Sequence, residues 1–201
     1  MKKTQSEQIL AIIKNRGIIR SRDLDEYFIH PESLSRLVRN GKVKRVRRGI
    51  YTLPDNEPAS SFHGFAEITK LIPNAIICLL SALNFHDITT QIPFQVWIAI
   101  DERARRPEKK SLALRLVRFS GNTLTEGVEE HLIENVPVKI TNPARTIADC
   151  FKYRNKIGLD VALEALKDGL QQRKCTRDEL WKYAKICRVT NVIRPYMEAL
   201  S

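Results

Sequence analysis

Between His30 and Leu53 the chain reads HPESLSRLVRNGKVKRVRRGIYTL, and no other stretch restricts the fold as strongly. Pro31 suits the first position of a helix, because its φ is fixed and its missing N–H would lack a partner there. Leu34, Leu37 and Val38 recur at helical spacing and form one apolar face, while Ser33, Ser35, Arg36 and Arg39 project elsewhere. Asn40-Gly41 supplies a left-handed stop. The period then changes. Lys44–Arg47 and Ile50–Leu53 are short β-prone runs around Arg48-Gly49, the pattern of a hairpin. From Arg36 to Arg48 there are seven Lys or Arg and no acid. A short polar and cationic helix followed by a basic hairpin matches what reading a duplex requires, side chains at base edges and cations against phosphates. The stretch is expected to be the recognition helix and wing of a winged helix-turn-helix. Ser33, Ser35, Arg36 and Arg39 would face bases; Lys44, Arg45, Arg47 and Arg48 would hold the backbone.

The preceding residues fit that reading. Ile9, Leu10, Ile12 and Ile13 line one side of a helix from Ser6 to Arg16, ended by Gly17. Ile18-Ile19 is a short extended piece able to pair with the wing. Ser21 is expected to cap a second helix with Leu24, Tyr27 and Phe28 on its apolar face, and Ile29-His30 is a short link to the third. Pro54 to Pro58 break the periodicity, which sets the expected domains at 1–57, the DNA-binding module, and 58–201. Charge follows the same division. Through Glu57 there are 13 Lys and Arg against 7 Asp and Glu; the longer remainder has 21 against 16, in a chain of formal net charge +11. Clustered positive charge favours a polyanionic partner.

The second part reads as α+β, with a small, mainly antiparallel sheet and several helices. A helix capped by Ser60 or Ser61 is expected through Ile72, and FQVWIAI (residues 94–100) is a strand apolar enough to be central. Leu112–Phe119 alternates as a second strand. Val128–Ile133 and Val136–Ile140 form a hairpin turning at Glu134-Asn135, with Pro137 pointing to an edge. Asn142 caps a helix with Pro143 at its first position, and Arg145 and Asp149 form a surface pair four residues apart. Leu159–Leu170 is amphipathic, Thr176 to Glu179 is a capping box, and Pro195 interrupts or starts the last turns.

Chemistry is sparse. The four cysteines and four histidines lack the close spacing of a metal site, so no metal or other cofactor is expected. No phosphate-binding glycine loop or nucleophile elbow is present. Ser81 and His86 read as ordinary helix residues. One nuclease-like alternative exists, with Asp101 at a strand end and Glu108 and Lys110 as an acid-x-Lys triplet around metal. The triplet sits in a charged, Pro-containing loop, and the reading adopted is non-enzymatic. Without a long apolar run or a signal segment, a soluble cytoplasmic protein is expected, with no membrane partner.

The whole chain resembles the AbiEi family of antitoxin-repressors from type IV toxin–antitoxin systems. The resemblance rests on RVRRGIYTL in front and on SALNFHD, FQVWIAI and TNPARTIADCF behind. It implies a bacterial autorepressor that binds operator DNA through its N-terminal module, with DNA contacts at Arg36, Arg39, Lys44, Arg45, Arg47 and Arg48. It also implies a C-terminal domain that counters a nucleotidyltransferase-type toxin.

Overall fold

Thr4 starts the first helix by a reciprocal cap: its hydroxyl accepts the Glu7 N–H, and the Glu7 carboxylate accepts the Thr4 N–H. The computed structural model describes residues 4–54, 61–107 and 113–200. Helix α1 (Gln5–Arg16) buries Ile9 and Ile13, and β1 (Ile18–Arg20) follows Gly17. Next comes a 3-10 helix over Ser21–Tyr27, tighter than the α-helix expected there. Ser21 is not its cap. The Asp23 carboxylate accepts the Arg20 N–H at 2.9 Å and draws the turn in. Only Leu24 of the expected apolar face is buried; Tyr27 is 43% and Phe28 91% exposed. Phe28 lies in the left-handed region, and its N–H closes the turn onto the carbonyls of Leu24 and Asp25.

Helix α2 (Pro31–Arg39) begins at Pro31 as expected, with the His30 ring nitrogen accepting the Glu32 N–H. Leu34 and Leu37 join Ile9, Ile13, Ile19, Leu24, Ile29 and Val43 in one apolar cluster. Strands β2 (Lys44–Arg47) and β3 (Ile50–Thr52) form the expected hairpin. Ile18-Ile19 does pair with it: the sheet runs β1-β3-β2, antiparallel throughout.

Helix α3 (His63–Leu71) starts after Phe62 without a serine cap; Ser60 lies outside the described residues. Arg20 donates to the Thr69 carbonyl at 3.2 Å, Lys70 meets Asp23 at 3.4 Å, and Glu67 pairs with Arg47. Contacts accordingly divide the chain into two compact units, Met1–Pro73 with His131–Val138, and Asn74–Glu130 with Lys139–Ser201.

A five-stranded sheet has the order β6-β5-β4-β8-β7; β6, β5 and β4 belong to the second unit, while residues 131–138 around the β7–β8 turn group with the first. Its strands are β4 (Ile76–Ile77), β5 (Val96–Asp101), β6 (Leu114–Phe119), β7 (Val128–Ile133) and β8 (Val136–Thr141), with α4 (Leu79–Phe85) between β4 and β5. Strand β5 is internal, as its apolar run requires. The directions are mixed: β5–β6 and β4–β8 are parallel and β4–β5 antiparallel. A parallel pair such as β5–β6 cannot be joined by a tight hairpin turn. The β7–β8 hairpin turns at Glu134-Asn135, both at positive φ. Pro137 is not on an edge strand. Strand β8 lies between β4 and β7, but β4 pairs with it only at Lys139 and Ile140, so Pro137 sits beyond that ladder.

Helices α5 (Pro143–Lys152), α6 (Arg154–Ile157), α7 (Leu159–Gln171), α8 (Arg177–Ile186) and α9 (Thr190–Ala199) complete the chain. Asn142 caps α5 and Thr176 with Glu179 caps α8, both as expected; Pro195 lies inside α9. Ser81 and His86 have structural roles: the Ser81 hydroxyl accepts the Trp97 N–H, and the His86 ring donates to the Thr141 carbonyl.

The expected surface pair on α5 is instead at the centre of this unit. Arg145 and Asp149 are both 0% exposed, joined at 3.0 Å. Arg145 also donates to the carbonyls of Glu126 and Thr123 and lies over the Phe119 ring. The Cys187 thiol donates to the other Asp149 oxygen at 3.2 Å. Burial pushes the Asp149 carboxyl above its usual range against the pull of Arg145. Burial, with the Asp149 charge, pushes the Cys187 thiol up to about 12.

Arg145→Ala is expected to lower unfolding free energy by about 3–5 kcal/mol, because it strands a buried carboxylate. Replacing both partners with apolar residues recovers much of that loss. Urea denaturation of the full chain measures both. All four thiols are buried and outside any disulfide, and Cys78, Cys150 and Cys175 are likewise raised, chiefly by burial. At pH 8 they stay protonated, so a disulfide reagent should titrate them only after denaturation.

Candidate nucleic-acid interface

The eight residues singled out from the sequence divide by their surroundings. On α2, Ser33 is buried, and its hydroxyl donates to the Gln5 side chain at 2.7 Å. It fastens α2 to α1 and leaves the base-facing set, since an inward hydroxyl cannot reach a groove. Ser35 is exposed and back-bonds to the Pro31 carbonyl. Arg36 and Arg39 are exposed. Arg36 reaches the Ser6 hydroxyl at 3.5 Å, a long contact; Arg39 pairs with Glu32, and both of those side chains are more than 60% exposed. Solvent-exposed pairs of this kind are weak and exchange readily for another anion.

In the hairpin, Lys44, Arg45 and Arg48 are exposed. Arg45 donates to the Arg47 carbonyl, which keeps its side chain along the strand. Arg47 differs. The register shifts between Arg45 and Arg47, a bulge that re-aims the side chain. Arg47 turns to Glu67 of α3, where the carboxylate is only 10% exposed. A phosphate reaching this side chain would have to compete with that carboxylate. Glu67 was not legible as a partner: it lies twenty residues along, on a helix whose spacing says only that one face is apolar. Gly49 holds the turn at φ +78. Tyr51 packs against the apolar cluster beneath.

The surface that results is a short helix and a hairpin, with exposed Arg36, Arg39, Lys44, Arg45 and Arg48 and a Glu32 that is itself engaged. It is held rigid by the Leu34–Leu37 face and by the β1-β3-β2 ladder.

The alternative nuclease site is only partly within view. Asp101 ends β5 as expected, and its carboxylate accepts the Arg103 N–H at 2.8 Å. Glu108 and Lys110 lie outside the described residues. Among the described residues, no three His, Cys, Asp or Glu side chains gather as metal ligands. No described helix is long and apolar enough to cross a membrane.

The front unit thus presents a short helix and a hairpin with exposed cations on both. Residues 7–54 match the model of the family described as a transcriptional regulator, AbiEi antitoxin, which is the family the sequence resembles. No curated protein gives a significant match to the chain. The fold is similar to that in the crystal structure of the RV2827C protein from Mycobacterium tuberculosis. The TM-score is 0.62 at 13% identity, covering 92% of this chain and 72% of that one.

Gly49→Ala forces an L side chain into the left-handed region and should cost about 1–2 kcal/mol. Gly64→Ala, in a helix with open space at its Cβ position, should stabilise by about 0.5–1 kcal/mol. Thermal or urea unfolding of the two variants separates backbone strain from a general glycine effect.

Proposed function

We propose that this protein is a DNA-binding transcriptional repressor and antitoxin whose front unit is a winged helix-turn-helix. The observation that carries this reading is the exposure of Arg36 on α2 together with Lys44, Arg45 and Arg48 on the hairpin. The order α1, β1, 3-10 helix, α2, hairpin and the pairing of β1 with the wing support it. Helix α2 enters the major groove with Arg36 and Arg39 toward base edges. Lys44, Arg45 and Arg48 lie along phosphates. The regulatory family matched at residues 7–54 supports an antitoxin role, with operator DNA and a toxin as partners. The type IV mode, autorepression, a nucleotidyltransferase-type toxin, residence in the cytoplasm and the lack of catalysis are proposed on the same likeness.

Fluorescence anisotropy with duplex DNA from upstream of the gene tests the placement. Arg36→Ala should weaken specific binding by about 1–3 kcal/mol and relax one position of the site. Lys44→Ala or Arg48→Ala should weaken binding to all duplexes alike and flatten the salt slope by about one unit. Equal affinities for all three variants and the parent would overturn the interface. Glu67→Gln releases Arg47, and tighter binding with a steeper salt slope is expected from it.

A further inference from the structure

A cleft in the second unit has the composition of a ligand site that the regulatory function does not require. Its volume is about 960 Å³, and Arg103, Lys152, Arg154 and Arg188 line it with a single acid, Glu102, among its described residues. The four cations come from three separate places, the strap after β5, the C-terminal end of α5 with the start of α6, and the turn after α8. No local charge run brings them together; the fold does. Opposite charge is scarce, so an anion entering the partly open cleft meets positive charge from several elements.

The walls are held in place before any ligand arrives. Arg118 donates to the carbonyls of Asp101, Glu102 and Ala104, which pins the strap that carries Arg103. The turn at Ser120 is closed by the Thr123 hydroxyl, and the Thr123 carbonyl is fastened to Arg145. Cys187 at the rim of α8 is tied to Asp149. Arg154 uses one amino group on the Phe151 carbonyl, and a guanidinium has further donors to offer. Preformed walls reduce the ordering cost of binding.

The remaining lining is chemically divided. Ile186, Val189 and Val192 form an apolar wall, and Ser120 and Asn122 add polar groups. A bare phosphate would leave the apolar wall unused, whereas a ligand with a flat ring and several phosphates engages both parts. We propose that this cleft binds a nucleoside polyphosphate, with Arg103, Lys152, Arg154 and Arg188 on the phosphates and the Ile186–Val189–Val192 wall against the base. The site is distinct in residues from the helix and hairpin that serve DNA, and its occupancy is a separate property of the protein.

Isothermal titration of the full chain with ATP, GTP, CTP, UTP and inorganic tripolyphosphate tests it. At least one nucleotide should bind, more tightly than tripolyphosphate and more tightly at low salt. Arg103→Glu and Arg188→Asn are both on exposed positions, and asparagine tolerates the positive φ of residue 188. Arg188→Asn should weaken that nucleotide by about tenfold, the loss of one charge-assisted hydrogen bond, and Arg103→Glu, which also adds a negative charge, by more than that. Val192→Ser should weaken the nucleotide and leave tripolyphosphate unchanged. The wing variant Lys44→Ala should bind it as the parent does. No binding of any nucleotide, binding indifferent to Arg103→Glu and Arg188→Asn, or binding abolished by Lys44→Ala would each overturn the proposal. So would weakened duplex binding by the cleft variants without nucleotide binding by the parent, because the cations would then serve nucleic acid. Circular dichroism of each variant confirms that the fold is kept.

Discussion

The ion pair between Arg145 and Asp149 imposes more on its surroundings than any other contact in the second unit. Two charges without solvent are expensive, and their attraction compensates only where every remaining donor and acceptor is satisfied. Here each guanidinium nitrogen and each carboxylate oxygen has a partner: beyond the ion pair, the guanidinium reaches two carbonyls and an aromatic face, and the carboxylate receives a thiol. Those partners come from β6, from the segment that follows it and from the end of α8. The path of the chain between β6 and β7 and the seating of α8 are thus set by the hydrogen-bonding needs of one buried pair. A polar network of this kind favours a single arrangement, since a near miss leaves a charge unpaired.

The first unit is stabilised differently. Its cluster of Ile9, Ile13, Leu24, Leu34 and Leu37 is apolar, and its cations are at the surface. An acid-free run of seven basic residues repels itself, a destabilising arrangement unless something outside the chain is meant to meet it. Glu67 relieves one of those charges by drawing Arg47 inward. The others are left to solvent or to exposed partners. That division separates the basic residues that fasten the unit from those that remain available to a polyanion.

Local chemistry explains which features could be read from the chain. Pro31, Gly49, the Asn142 cap and the Thr176–Glu179 box act within a few residues of themselves, so their helices and turns were legible. The family match at residues 7–54 likewise agrees with the RVRRGIYTL resemblance. What escaped depends on residues far apart. Burial of Arg145 requires carbonyls about twenty residues upstream, and a spacing of four between Arg and Asp looks the same on a surface helix. The inward turn of Arg47 depends on a bulge and on a distant carboxylate. Ser33 shares its helix with outward-facing arginines, yet a hydroxyl at that position also fits against a neighbouring helix, as it does here with Gln5. Strand direction in the second sheet was equally hidden, because an alternating run has the same pattern in a parallel pair as in an antiparallel one.

Positive charge occurs in two geometries in this molecule, and geometry decides what it can hold. On α2 and the hairpin the cations stand exposed on two short elements. Each can meet a different phosphate of an extended lattice, and binding is then additive and salt-sensitive. Around the cleft of the second unit the cations converge on one volume from separate elements, next to an apolar wall. A rigid duplex cannot enter a space of about 960 Å³, while a ligand carrying several phosphates on one small body fills it. Net charge alone does not separate these cases, since both contribute to the same +11. The distinction lies in whether the chain spreads its cations or gathers them, and this chain does both.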